Sequence, residues 1–458
     1  MSKLLADGRC SSAGRMVAAS APARLDVSGG MAAHTGGVVA QCTIGLRATA
    51  AAAPRQDGRL WIGVYQADWD RCNQKTVAMR NELPYDEPHT HTGNDASSLW
   101  FHLATIVVRQ LTRWTNTSTD SEAKDGLSIG IHNAISLEGS AAAAGAVAVA
   151  VIQCLCDYYK ISCSPLEKAE IASRATTEIG IEQAHTVDAM TTLCSPAEAT
   201  TCLLRYRCQP SQLLGTIPTP SNIQLIAIAL DGDNTTASAI AHRVMVAGSM
   251  GMRIIQTVYR DLGLDPNTGG YLGNVSPGLY KRYFRTLLAR RMRGRDFIRT
   301  YGELAGVHID PDHLYHIRAA VDHLIGEGEY AENFLQTMEE LAPNWNEPLT
   351  ESARTLTAQR AGRLLLASQH SYRLRLGLSS PIADWVVARL TDAADGGGAY
   401  GARVTENGDG RLVVALLPGT ARATDHLLEV ISEYGREFGS SPRIYRTGGP
   451  ESAGALLS

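Results

Sequence analysis

Short apolar runs broken by turn residues fill the first third of the chain, and longer runs with helical spacing fill the second half. Alternating apolar positions predict strands at Arg24–Val27, Gly36–Leu46 and Arg59–Tyr65. Leu99, Phe101, Leu103, Ile106, Val107 and Leu111 recur at helical spacing and predict a helix over Ser97–Trp114. Gly126–Leu137 reads as a strand that passes through Glu138-Gly139-Ser140 into an Ala/Val-rich helix ending near Tyr159. Such a strand–loop–helix junction turns backbone N–H groups towards an anion. Helices around Ser164–Thr177 and Val187–Leu193 come next, then strands near Thr201–Cys208 and Ile223–Leu230. Pro210, Pro218 and Pro220 interrupt the chain between these strands. The prolines place a domain boundary there and divide residues 1–220 from 221–458.

Beyond the boundary, periodicity predicts helices at Ala237–Leu262, Gly278–Met292, Pro311–Leu324, Tyr330–Leu341 and Glu351–Arg375. Ala402–Thr405 and Arg411–Leu417 flank Asn407-Gly408, a turn dipeptide that predicts a hairpin. A helix at Thr424–Phe438 and a strand at Arg443–Tyr445 complete an α+β second half.

At 458 residues the chain exceeds one ordinary core, and 44% hydrophobic with 19% charged side chains suit a folded two-domain protein. A net charge of −4 argues against nucleic acid and membrane partners, which ask for a basic surface. One local exception is the segment Lys281–Arg295, where seven Lys and Arg residues alternate with Tyr283, Phe284, Leu287 and Leu288. It reads as an amphipathic helix with a solvated basic face. Nine cysteines without metal-ligand spacing suit a reducing, cytoplasmic compartment. The N-terminus lacks the long apolar run of a signal peptide, and the run Ala141–Cys156 reads as a buried helix too short to span a bilayer.

The stretch Ala21-Pro22-Ala23-Arg24-Leu25-Asp26-Val27-Ser28-Gly29-Gly30-Met31-Ala32-Ala33-His34-Thr35-Gly36-Gly37 resembles the opening motif of galactokinase-like GHMP kinases, and most closely the L-arabinokinase form APGRLDVMGGIADYSG. Further matches keep the same order. Asp188-Ala189-Met190-Thr191 falls at the MDQMT segment, Cys208-Gln209-Pro210 at a CQP, and Gly401-Ala402-Arg403-Val404-Thr405 at a GAKIT. The resemblance runs from about Ala21 to Gly449. It implies a two-domain α+β GHMP kinase fold. The first domain is ribosomal-protein-S5-like α/β, and the second is ferredoxin-like α+β with added helices.

The resemblance also implies transfer of the ATP γ-phosphoryl group to a sugar anomeric hydroxyl, with Mg²⁺ as the metal cofactor of an active kinase. Positioning and charge neutralisation supply most of such catalysis. By resemblance Asp188 is the base and Arg24 its electrostatic partner. An aspartate beside an arginine stays ionised and accepts a hydroxyl proton, while the guanidinium steadies developing negative charge.

The nucleotide side departs from the pattern. Against the family's PEGKGVSSSAA the chain has Ser136-Leu137-Glu138-Gly139-Ser140-Ala141-Ala142-Ala143-Ala144-Gly145-Ala146, so alanines replace the metal-binding serines. Glu138 also brings negative charge towards a triphosphate. Gly139 and Ser140 are the nucleotide-binding candidates left in this loop. In Thr405-Glu406-Asn407-Gly408-Asp409-Gly410-Arg411, Gly408 and Gly410 alone keep the glycine character of the family's TGGGSGG. On the sugar side Ala33 and His34 replace the Asp and Tyr of ADY, leaving His34, Gly36 and His185 as substrate-binding candidates.

No residue set reads as a metal site. Three functions stay open at this point. One is an active, diverged sugar kinase acting on a small sugar-like substrate. The second is a fold relative that does not use ATP and binds a small ligand, a protein partner or an active paralogue. The third is an enzyme of another reaction built on Arg24 and Asp188.

Overall fold

Strand β1 (Val17–Ser28) is buried along its whole length, and a 3₁₀ turn at Gly30–Thr35 follows it directly. The structure is a computed structural model that describes residues 16–55, 59–66, 79–84, 96–115, 126–135, 141–181, 186–195, 202–220, 222–230, 235–265, 267–342, 349–392, 397–405, 412–447 and 454–457. After β1 come β2 (Val38–Pro54), β3 (Arg59–Gln66), β4 (Met79–Pro84), α1 (Ala96–Thr115), β5 (Leu127–Asn133), α2 (Ala141–Tyr159), α3 (Pro165–Glu178) and α4 (Thr186–Cys194). Then come β6 (Cys202–Cys208), β7 (Ser211–Pro218), β8 (Ile223–Ala229), α5 (Thr235–Asp261), β9 (Met292–Arg293), α6 (Gly294–Tyr301) and β10 (Leu314–Tyr315). The chain ends with α7 (Ile317–Leu341), α8 (Glu351–Ser371), α9 (Pro381–Thr391), β11 (Gly401–Val404), β12 (Leu412–Pro418), α10 (Ala421–Phe438), β13 (Arg443–Arg446) and β14 (Gly454–Leu457).

Two compact units result. Unit 1 comprises Met1–Arg24, Thr43–Ala199 and Gly448–Ser458, and unit 2 comprises Leu25–Cys42 and Thr200–Thr447. The chain passes from one unit to the other within β1, within β2, and again at Ala199/Thr200 and Thr447/Gly448. In unit 1 a sheet of order β14-β1-β2-β5-β3-β4 packs with α1 to α4. β3 runs parallel to β5, and β2 runs antiparallel to it. The side chains of α2 from Ala142 to Ile152 are fully buried, because small Ala and Val side chains let a helix sit inside a layer. By length and composition Ala142–Tyr159 also suffices to cross a membrane, yet 78% of that stretch is buried inside the protein.

Unit 2 carries an antiparallel sheet of order β11-β12-β8-β13. Its chain order, strand–helix–strand–strand–helix–strand, is that of a ferredoxin-like domain, with α6 to α9 added between β8 and β11. The strand β12 is buried at every position, as expected of an interior strand. The hairpin β6–β7 pairs with Val38–Gln41 of β2, and Arg205 of β6 ion-pairs with Glu332 and Glu339 of α7.

Several elements differ from those that periodicity predicts. Pro210 and Pro218 bound the strand β7 instead of breaking the chain, since proline at a strand end removes no interior ladder bond. The segment Gly278–Met292 is not one helix. It opens as a short turn (Pro277–Leu279), widens to a π-turn over Tyr280–Phe284, and then leaves helical geometry. The Arg318 guanidinium donates to the Leu288 carbonyl at 2.6 and 3.0 Å, which satisfies that backbone group outside a helix. Met292–Arg293 pairs instead with Leu314–Tyr315. Pro311–Leu324 and Tyr330–Leu341 fall largely within a single 25-residue helix, α7, which continues through Gly326 and Gly328. α6, α9, β4, β7 and β14 were not predicted; α9 starts at a Ser380 cap whose hydroxyl accepts from the Ala383 N–H at 3.0 Å.

α8 meets β11 glycine to glycine. A Cβ on Gly362 would stand 2.0 Å from the Tyr400 oxygen, and one on Gly401 would stand 2.1 Å from the Gly362 oxygen. Both contacts are backbone, which cannot swing aside. Gly362→Ala is therefore expected to destabilise the protein by about 1–3 kcal/mol or more, read as a lowered midpoint in urea unfolding. An unchanged midpoint would show that the two backbones are not in contact.

Candidate functional site

Arg24 lies on β1 and Asp188 in the first turn of α4, both in unit 1. Their side chains are 5% and 3% exposed, and Arg24 Nε lies 3.0 Å from Asp188 Oδ1. A carboxylate in the first turn of a helix also gains from the positive end of the helix dipole. Two contacts anchor α4. The Thr192 hydroxyl donates to the Pro22 carbonyl at 3.2 Å, and Ser195 Oγ lies 3.1 Å from Thr43 Oγ1. The pair is thus a pre-positioned acceptor and cation, the combination that proton removal from a hydroxyl requires.

His34 and Gly36 belong to unit 2, in and just after the 3₁₀ turn that follows β1. His34 is half-buried. Gly36 has φ +81° and closes the turn as a left-handed cap, a conformation open to glycine at little cost. Here, too, backbone approaches backbone: a Cβ on Gly273 would stand 2.3 Å from the Gly37 nitrogen.

A second buried constellation surrounds Arg403 of β11, within unit 2. Arg403 is 0% exposed, its Nη1 lies 2.9 Å from Oε1 of the equally buried Glu327, and its Nη2 lies 3.7 Å from Asp26 Oδ2. Its guanidinium sits 5.2 Å from the centroid of the Tyr372 ring, and its Nε donates to the Val404 carbonyl at 2.8 Å. Burial works to lower the Arg403 pKa, but Glu327, Tyr372 and Asp26 hold it above its ordinary value. Ser368 donates to Glu327 at 2.7 and 3.0 Å, Thr405 donates to the Asp26 carbonyl, and Tyr372 accepts from the Met31 N–H at 3.2 Å. His323, four residues before Glu327 on α7, packs edge-on to Tyr372 with its Nδ1 2.9 Å from Ser371 Oγ. Burial, and then the charges of Arg403 and Arg375, push the His323 imidazole down to about 3.

The structure thus brings Arg24 and Asp188 together and places His34 and Gly36 in one turn. Gly139, Ser140, His185, Gly408 and Gly410 lie outside the described residues. So does the loop that carries Glu138. Among the described residues no group of three His, Cys, Asp or Glu side chains is placed to hold a metal ion. Ala142, Ala143 and Ala144, aligned with the family's serines, form the first turn of α2 with fully buried methyl groups and offer no oxygen ligand. This part of the chain does not fit Mg²⁺. The sequence reading missed the Arg403 network as a unit, although Asp26 and Arg403 lie in quoted motifs and His323 and Glu327 share one helix face.

No known family model matches the chain. Among solved structures it is similar to Lactococcus lactis galactokinase complexed with galactose, with TM-score 0.69 at 15% identity over 96% of this chain and 95% of that one. It is also similar to Methanococcus jannaschii mevalonate kinase, with TM-score 0.54 at 12% identity over 95% and 98% of the two chains. Both units thus have the GHMP kinase fold, an α+β architecture. Among curated proteins the chain is 22% identical to L-arabinokinase of Arabidopsis thaliana across 94% of its own length and 45% of that protein's. The chain spans about half the length of that curated relative.

Two predictions follow from the buried charges. Arg403→Met strands Glu327 without its counter-ion and is expected to cost about 3–5 kcal/mol in urea unfolding. The double variant Arg403→Met/Glu327→Gln is expected to recover part of that loss, and no recovery would show that the pair is not coupled. For His323, the unfolded chain takes up a proton near the ordinary value of 6.5 while the folded chain resists until about 3. Stability from this residue is therefore lost as pH falls through that window, by up to about 1.4 kcal/mol per pH unit. His323→Phe is expected to flatten the dependence of unfolding free energy on pH between these limits, and a slope equal to that of the wild type would contradict the assignment.

Proposed function

We propose that this chain is a diverged sugar kinase that transfers the ATP γ-phosphoryl group to the anomeric hydroxyl of a sugar or sugar-like ligand. The observation that supports this most is the buried Arg24–Asp188 pair, held at 3.0 Å by segments far apart in sequence. In this reading Asp188 accepts the proton of the attacking hydroxyl, and Arg24 orients the carboxylate and steadies charge on the oxygen. His34, Gly36 and His185 contact the sugar, and Gly139, Ser140, Gly408 and Gly410 contact the nucleotide. ATP is the phosphoryl donor, with Mg²⁺ held by ligands other than Ala142 to Ala144. The small-sugar class of substrate rests on the resemblance to L-arabinokinase and to a galactokinase complexed with galactose. A cytoplasmic location suits the seven described cysteines, none of which forms a disulfide.

A second reading has its own observation. The hydroxyl-free first turn of α2 favours a protein that has given up Mg·ATP and binds a small ligand, a protein partner or an active paralogue in the inherited fold.

Calorimetric titration with Mg·ATP, followed by a phosphorylation assay on a panel of free sugars, separates the two. The kinase reading expects saturable binding, turnover, and a loss of about 10²–10⁴ in kcat for Asp188→Asn. Absence of Mg·ATP binding by the wild type would sink it. Binding gained by a variant with Glu138→Gly, Gly139→Lys, Ser140→Gly, Ala141→Val and serines at 142–144 would then establish the second reading.

A further inference from the structure

Unit 2 also contains a pocket of about 310 Å³ that none of the residues above was assigned to. Arg243 of α5, His313 and His316 ahead of α7, and Arg375 in the turn after α8 line it. Its apolar wall includes Val244, Ala247, Ala320 and Leu376, and no Asp or Glu lines it. Arg291, from the basic segment picked out in the sequence, adds its charge. The His316 imidazole is lowered first by burial and then by the neighbouring Arg291 and His313. The Arg243 charge is felt at the Tyr315 hydroxyl, as is that of Asp310, which is not part of the lining.

The pocket opens at the start of α7, a 25-residue helix whose N-cap His316 makes no side-chain capping bond. Among the described residues, Arg243, Arg291 and Arg375 form no ion pair with a carboxylate; Arg375 reaches the Ser371 hydroxyl at 3.5 Å. By contrast, Lys281, Arg285 and Arg295 of the same basic segment are each paired with an acidic side chain. Cations gathered around a helix N-terminus repel one another unless an anion lies among them, and the helix dipole acts in the same sense. A bare inorganic anion would leave the apolar wall uncovered. A volume near the lower end of small-molecule sites suits one compact organic ligand.

We propose that this pocket is a binding site for a small phosphate monoester, its phosphate among Arg243, His316 and Arg375 and its organic part against Val244, Ala320 and Leu376. The site uses neither Arg24 nor Asp188, so it stands independently of the kinase reading.

Phenyl phosphate titrated calorimetrically into the full chain tests it, with inorganic phosphate and phenol as separate probes. Phenyl phosphate is expected to bind with Kd below about 1 mM at low salt, at least tenfold more tightly than either probe, and more weakly at 0.15 M NaCl. Arg243→Ser and Arg375→Ser, both at exposed positions on different elements, are each expected to weaken it at least fivefold without lowering the urea midpoint. Asp188→Asn is expected to leave it unchanged, which separates this pocket from binding at the phosphoryl-transfer site. Equal affinity for inorganic phosphate or phenol, insensitivity to both arginine substitutions, or loss in Asp188→Asn would overturn the proposal.

Discussion

The interaction on which unit 2 depends is the burial of the Arg403 guanidinium between Glu327 and Asp26. A charge removed from water is tolerated only when partners meet it at close range and their own lone pairs are satisfied. The partners come from three parts of the chain. Asp26 lies near the end of β1, Glu327 lies midway along α7, and Ser368 and Tyr372 lie at and just beyond the end of α8. Because a misplaced partner would leave a bare buried charge, the network admits one rotation of α7 and one register of β11. It also holds the turn that carries His34 and Gly36, through the Asp26 and Tyr372 contacts to Gly30 and Met31.

In the proposed phosphoryl transfer the two sides are unequally equipped. On the proposed acceptor side the Arg24–Asp188 pair is buried, and α4 is tied to β1 by the Thr192 hydroxyl. On the proposed donor side Ala142, Ala143 and Ala144 present buried methyl groups where the motif they resemble has serine hydroxyls. Alanine at these positions favours the helix and its packing, while removing the oxygen atoms that a metal–phosphate complex needs. A chain under no demand to hold Mg·ATP gains stability from such changes. A chain that still uses ATP must draw ligands from elsewhere.

Element type was legible in the sequence wherever local pattern and tertiary environment agreed. The Ala/Val run gave α2, the Asn407-Gly408 dipeptide separated two strands that do pair, and Ser164 with Glu167 form a capping box at the start of α3. It was misleading where long-range partners overrode spacing. Leu287 and Leu288 keep helical periodicity, but the Arg318 guanidinium takes the Leu288 carbonyl and the helix is not continued. Gly326 and Gly328 suggest a break that does not occur, because Glu327 between them is held by Arg403 and Ser368.

By itself the sequence determined the α+β class, the order of most elements, and the ordered motifs that put Arg24 and Asp188 forward as a pair. These are matters of residue type and short-range spacing, which a linear pattern records directly. Only the tertiary structure decided that Asp26, Glu327 and Arg403 form one buried network. The same holds for Arg243, His313, His316 and Arg375, which share one pocket. These residues are brought together by sheet order and helix packing, and pairwise electrostatics acts over a few ångströms of space whatever the separation along the chain.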